Sequence, residues 1–226
     1  MRKGTFVGVM VVALAMILTA GGLLASNMGF KLNYQLKATG SSLPEGGTSL
    51  SGLNTIGLPF NAQTGLTSAS GLRTDIGAAS VLNIQKFVKT SDSFLLYTGA
   101  KGGTDWTLAS GEGYFVKMGA DVDYIIVGSH NPTFAVALDP TGVNGSLSGL
   151  NLYSYPYHST SASASALRTE IGAANVLNVQ KFVRSSDSFL LYTGAKGGTD
   201  FTLSPGEAYF IKMGGAVTIN FVPSHY

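Results

Sequence analysis

The sequence predicts a mainly β protein built from two tandem antiparallel modules, each a β-sandwich or partly open β-barrel bearing one short α-helix. Three observations carry this. The fifteen residues from Ser91 to Asp105 return letter for letter from Ser186 to Asp200. With a shift of about 95, residues 70–130 match 165–225 at roughly 43 of 61 positions, so one structural unit is duplicated. Each copy is then a series of short apolar runs rich in β-branched and aromatic residues, punctuated by Gly, Ser, Asp and Pro.

The chain opens on Met-Arg-Lys-Gly followed by an uncharged run over 5–25, the pattern of an export segment, with cleavage expected near Ala25 and Ser26. Retained, the same run approaches the length of a membrane anchor and is the only membrane contact expected. A pilin-type leader would cut after Gly4, but Val9 stands where such proteins carry glutamate. A lipid-anchored leader needs cysteine, and the chain has none. Export places the protein outside the cell, at the cell surface, or in a bacterial periplasm. Without cysteine in an oxidising compartment, stability must come from buried area. The expected organisation is an export segment over 1–25, a first module over 26–130 and a second over 131–226.

Each module is expected to begin with an alternating strand, 30–36 in the first and 134–138 in the second. Polar connectors, 37–47 and 139–145, follow. Leu53-Asn-Thr-Ile-Gly-Leu-Pro-Phe60 and Leu150-Asn-Leu-Tyr-Ser-Tyr-Pro-Tyr157 read as strands ended by Pro59 and Pro156. A two-turn helix comes next in each copy. Ser68 and Ser163 are its N-caps, Leu72/Ile76 and Leu167/Ile171 its apolar face, and Gly77 and Gly172 its left-handed C-caps. Residues 81–89 and 176–184 read as strands, turned by Ser-Asp-Ser into Phe-Leu-Leu-Tyr-Thr as hairpins. After the loop Gly-Ala-Lys-Gly-Gly-Thr-Asp, Trp106 or Phe201 is expected to open a further strand. This turns at Ser110-Gly111 or Pro205-Gly206 into Tyr-Phe-x-Lys-Met. Closing strands are expected over 122–127 and 217–222, with Val217, Ile219 and Phe221 on a buried face.

The runs Gly149-Leu-Asn-Leu-Tyr-Ser-Tyr-Pro-Tyr157 and Pro205-Gly-Glu-Ala-Tyr-Phe-Ile-Lys-Met213 carry a resemblance. They are similar to the small β-repeat of many bacterial secreted and surface proteins, which opens Gly-Trp-Asn-Leu-x-Ser-Leu-Pro and ends Gly-x-Gly-Tyr-Trp-Ile. In both copies here Leu stands in place of the opening Trp. The resemblance covers both modules and implies location and architecture, with no defined biochemical activity.

A net charge of +2 with only 12% charged residues, spread singly, argues against a nucleic-acid partner. No catalytic constellation emerges, so no enzyme activity, cofactor or metal is expected. The repeated acids Asp92/Asp187, Asp105/Asp200 and Glu112/Glu207 are the residue type a glycosidase needs, but they lie in Ser-Asp-Ser and Gly-Glu turns that use them structurally. Asp and loop carbonyls suit calcium, yet Asp-x-Asp-x-Asp spacing is missing. His158 and His225 would meet if the ends of module two lie side by side, and two ligands fall short of a metal site. Gly99-Ala-Lys-Gly-Gly-Thr104 lacks the order of a phosphate-binding loop, and no Gly-x-Ser-x-Gly elbow is present.

The sequence therefore points to an exported structural or interaction protein with a self-association, surface or glycan partner. The candidate interaction residues are of two kinds. Phe30, Leu32, Tyr34 and Leu36 form an amphipathic strand that could pair in its own module or be donated to a neighbour. Tyr153, Tyr155 and Tyr157 put alternate rings on one side of a strand, as core or as a sugar-stacking platform. The alternatives are a pair of carbohydrate-binding modules and a secreted hydrolase using the loop carboxylates.

Overall fold

A computed structural model describes residues 29–38, 51–58, 61–62, 66–129, 131, 133–142 and 147–225. The expected export segment, Pro59, His130 and most of the first connector lie outside them. In the first module β1 (Gly29–Leu36), β2 (Leu53–Gly57), β3 (Asn61–Ala62) and α1 (Ala69–Ile76) come first. They are followed by β4 (Val81–Val88), β5 (Ser93–Tyr97), β6 (Gly113–Met118) and β7 (Val122–Ser129). The second module runs β8 (Val136–Leu138), β9 (Leu150–Ser154), α2 (Ala164–Ile171), β10 (Val176–Val183), β11 (Ser188–Tyr192), β12 (Ala208–Met213) and β13 (Ile219–Phe221).

Each module pairs a four-stranded antiparallel sheet with a small one: β2-β6-β4-β5 with β1-β7-β3, and β9-β12-β10-β11 with β8-β13. These are duplicated sandwiches, and neither closes into a barrel. The alternation of β1 decides its packing. Phe30, Leu32, Tyr34 and Leu36 turn into the first core while the residues between them face out. The whole strand pairs with β7 of its own module, from Gly29 opposite Ser129 to Leu36 opposite Val122.

The two helices are capped as their sequence dictates. Ser68 accepts from the Gly71 amide at 3.1 Å and Ser163 from the Ala166 amide at 3.2 Å. Leu72, Ile76, Leu167 and Ile171 are buried. Gly77 and Gly172 end the helices at φ 121° and 113°, values that favour glycine although they lie beyond the left-handed helical well.

Three expectations need correction. Trp106 and Phe201 do not open strands; each stacks on a core tyrosine, Trp106 on Tyr114 at 5.2 Å and Phe201 on Tyr209 at 6.0 Å. Their segments make only the single bridges Ser68 to Thr107 and Ser163 to Thr202. The second closing strand shrinks to Ile219–Phe221, leaving Val217 70% exposed. Pro223, standing where copy one has Gly128, has no N–H to continue that ladder. The second leading strand likewise keeps only Val136–Leu138, and Phe134 packs against the second core and beside Gly111 of the first module.

The modules are not beads on a string. A third core lies between the outer faces of the two large sheets, made by Leu53, Phe87 and Phe115 from one side. Leu150, Leu152, Phe182, Ala208 and Phe210 come from the other. Phe115 and Phe210 occupy equivalent positions, and their rings meet at 5.9 Å. Phe87 meets Phe210 at 5.4 Å while Phe182 meets Phe115 at 5.8 Å, so an internal two-fold axis passes through this cluster. Reciprocal backbone bonds seal it: Gly57 donates to the Gly206 carbonyl at 2.6 Å and Ser154 to the Gly111 carbonyl at 3.0 Å. Gly57 must lack a side chain, since a Cβ there would stand 2.8 Å from the Glu207 carbonyl.

Candidate functional site

The residues singled out for interaction divide sharply by burial. Leu36, Tyr153 and Tyr155 are buried, as are Phe30, Leu32 and Tyr34. Tyr34 donates to the Gly57 carbonyl at 2.7 Å and Tyr155 to the Ser161 carbonyl at 2.6 Å. Rings so placed cannot offer a face to sugar, which corrects the platform reading for Tyr153 and Tyr155. Tyr157 is exposed on one side and stacks on Phe30 of the other module, with centroids 5.0 Å apart and planes 7° apart. The leading strand's apolar face is thus already in use within the chain.

The repeated acids are drawn into structural contacts. Glu112 accepts from Lys86 at 2.7 Å and from the Tyr114 hydroxyl at 2.8 Å. Its equivalent Glu207 accepts from Lys181 at 2.7 Å and from the Tyr209 hydroxyl. Burial first, and then the adjacent carboxylate, holds the Tyr114 and Tyr209 phenols far above their ordinary range, so both remain neutral donors. Asp105 accepts from the amide of Ser70 at 2.9 Å and from its hydroxyl at 2.5 Å, and Asp200 does the same with Ser165, reinforcing each helix start. Asp92 and Asp187 sit at φ 47°, and Asp92 also takes a bond from Ser148 of the second module at 3.2 Å. The Ser159 and His225 segments do lie side by side. Among the described residues no three His, Asp or Glu side chains gather to hold a metal.

Two kinds of surface stand out among the described residues. The first is a pair of edges. β5 and β11, each Ser-Phe-Leu-Leu-Tyr, end their large sheets and leave Phe94, Leu95, Leu96, Phe189, Leu190 and Leu191 between 37% and 43% exposed. Phe94 and Phe189 pack one side of their rings on Phe87 and Phe182, both at 5.3 Å, at the rim of the intermodule cluster. The far half of β11 is covered by its own loop, whose Thr199 amide donates to the Leu191 carbonyl at 3.0 Å. The open stretch is therefore the first half of the strand. Nothing in the alternation of the sequence marks these residues as exposed, because an apolar run reads as buried.

The second surface is a cleft of about 430 Å³ where β1 and β2 of module one face the end of β10 and the 204–207 turn of module two. Asn33, Gln35, Thr55, Arg184 and Ser204 contribute polar side chains, with Tyr34 and Phe182 in the wall and Lys181 paired to Glu207. The two-fold axis generates a second cleft, lined by Phe87, Lys89, Glu112, Ala137 and Leu152, of only about 30 Å³. Among the described residues each cleft brings a single carboxylate, Glu207 or Glu112, whereas hydrolysis of a glycosidic bond by two carboxylates needs a facing pair. No family model, curated protein or solved structure matches this chain.

Proposed function

We propose that the protein is an exported structural or interaction protein of the cell surface or extracellular space, without enzymatic activity, that associates with copies of itself through its sheet edges. The observation that carries this reading is the pair of identical apolar edge strands, β5 and β11, one on each module. An edge strand presents unpaired backbone donors and acceptors, and proteins that stay monomeric guard such edges with charge, proline or cover. Here the loop covers only the end of each edge, through the bridges Tyr97 to Gly103 and Tyr192 to Gly198, and the open stretch before it reads Ser-Phe-Leu in both copies. Two edges give every chain two points of attachment, enough for an extended assembly or a ring. The leading strand is a weaker route, since β1 already pairs with β7 over eight residues and buries its apolar side. The export pattern over 1–25 and the resemblance to small bacterial surface repeats support the location.

The test is sedimentation of the full exported chain beside the double variant Leu95→Lys/Leu190→Lys. The parent is expected to sediment above monomer mass and the variant as monomer, each with the same far-ultraviolet circular dichroism. A parent that stays monomeric as its concentration rises would sink the proposal.

A further inference from the structure

The two clefts are one architectural site written twice, and the chain has treated the two copies differently. Superposition through the internal axis pairs Leu36 with Leu138. The following amides, Lys37 and Asp139, donate to the equivalent Asn54 and Asn151 side chains at 3.0 Å and 2.8 Å. In that register Asn33 and Gln35 of the large cleft correspond to Ala135 and Ala137, Thr55 to Leu152, and Ser204 to Ala109. Every one of these polar side chains on one side of the axis is therefore an apolar one on the other.

The closed copy shows what fills such a site when nothing need enter. Leu152 occupies it, Phe134 and Val136 lie against Gly111, and Lys89 crosses it to donate to the Ala137 carbonyl at 2.8 Å. In the open copy Arg184 takes the place of Lys89, and its guanidinium forms no hydrogen bond or ion pair with the described residues. It stands close enough to Asp121 to help hold that carboxyl low, after the Ala38 amide and Lys37. Asn33 and Gln35 project from the exposed side of β1 beside it. Four hydrogen-bonding side chains and a guanidinium thus stand within reach of solvent where the repeat otherwise packs shut.

We propose that this cleft is a binding site for an acidic saccharide, with a sugar carboxylate on Arg184 and hydroxyl groups on Asn33, Gln35, Thr55 and Ser204. The amides and hydroxyls both donate and accept, which suits a polyol. Among the described residues the cleft's charged side chains are Lys181, Arg184 and Glu207, a net of one positive charge that favours an acidic sugar over a neutral one. Its volume lies within the range of small-ligand sites.

The experiment is calorimetric titration of the full chain with digalacturonate, and with neutral digalactose as its uncharged counterpart. Digalacturonate should bind, and digalactose should bind more weakly. Arg184→Gln should weaken digalacturonate by about ten- to a hundredfold, the loss of one charged hydrogen-bonding partner. Thr55→Leu, which installs the residue of the closed copy, should abolish binding while leaving the melting temperature within a few degrees. Lys89→Gln, in the closed cleft, should change nothing. Failure of the parent to bind digalacturonate, or binding that survives both Arg184→Gln and Thr55→Leu, overturns the assignment. So does capture of a tripeptide carboxylate in place of the sugar. A self-association result leaves this outcome untouched, because no edge residue lines the cleft.

Discussion

The large sheets and the small sheets of the two modules have followed different courses since the duplication. β4, β5 and the Gly-Glu turn recur almost unchanged as β10, β11 and their turn, whereas β1 and β7 pair over eight residues and their counterparts β8 and β13 over three. The large sheets are constrained on both faces. In β6, Tyr114, Val116 and Met118 enter the module core while Phe115 enters the core between modules, and β12 repeats this with Tyr209, Ile211, Met213 and Phe210. A change on either face disturbs close packing. The small sheets meet a core on one face only and have been free to diverge, as Tyr124-Ile-Ile126 against Ile219-Asn-Phe221 illustrates.

The largest test of this contrast is at the axis. Phe115→Ala or Phe210→Ala should each cost about 3–5 kcal/mol, because each removes a buried ring from a shared core. Since the two rings touch, the double variant should fall short of the sum. The parent should unfold in one urea transition. In the double variant, fluorescence of Trp106, which reports the first module alone, should separate from circular dichroism, which reports both. Coincident curves in that variant would show that the modules communicate by another route.

A smaller effect should distinguish the small sheets. Leu32→Ala, in the eight-residue ladder, should cost about 2–4 kcal/mol. Native-state hydrogen exchange should show the β1 and β7 amides better protected than those of β8 and β13, since a three-residue ladder opens more readily. Equal protection would mean that the second small sheet gains from Phe134 what it lacks in pairing.

Much of this was legible from residues because local chemistry and tertiary structure agree. The alternation of β1, the Ser68 and Ser163 caps and the Ser-Asp-Ser hairpins each have one physical solution, and the fold adopts it. What was hidden needed a partner surface. Tyr114-Phe115-Val116 is an uninterrupted apolar run, which marks a strand buried on both faces, but nothing local says that the second face meets the other copy. The edge strands mislead for the same reason, since Phe94-Leu-Leu96 reads as core until its sheet ends there. The large cleft lies still further from local pattern. It forms only where Asn33, Thr55 and Arg184, remote in sequence, are gathered by the internal axis, and a line-up of the repeats that includes 30–36 against 132–138 is the one signal that could have found it.

The smallest effect should be equal in the two copies, because it belongs to the conserved part. The bonds from the Ser70 hydroxyl and amide hold the Asp105 carboxyl below its usual range. At Asp200 burial pulls upward, and the Ser165 bonds outweigh it. A carboxyl lowered on folding contributes stability that is fully present above its unfolded value, about 3.9, and is lost as pH falls through the folded value. Asp105→Asn and Asp200→Asn should therefore each destabilise at pH 7 by less than about 1 kcal/mol, the scale of an exposed acid at a helix start. As pH falls towards 2 the parent carboxyl takes up its proton, and the deficit of each variant should shrink. Melting temperatures at the two pH values check this. A deficit that persists undiminished at pH 2 would assign these residues a role of shape alone, with no part for their charge.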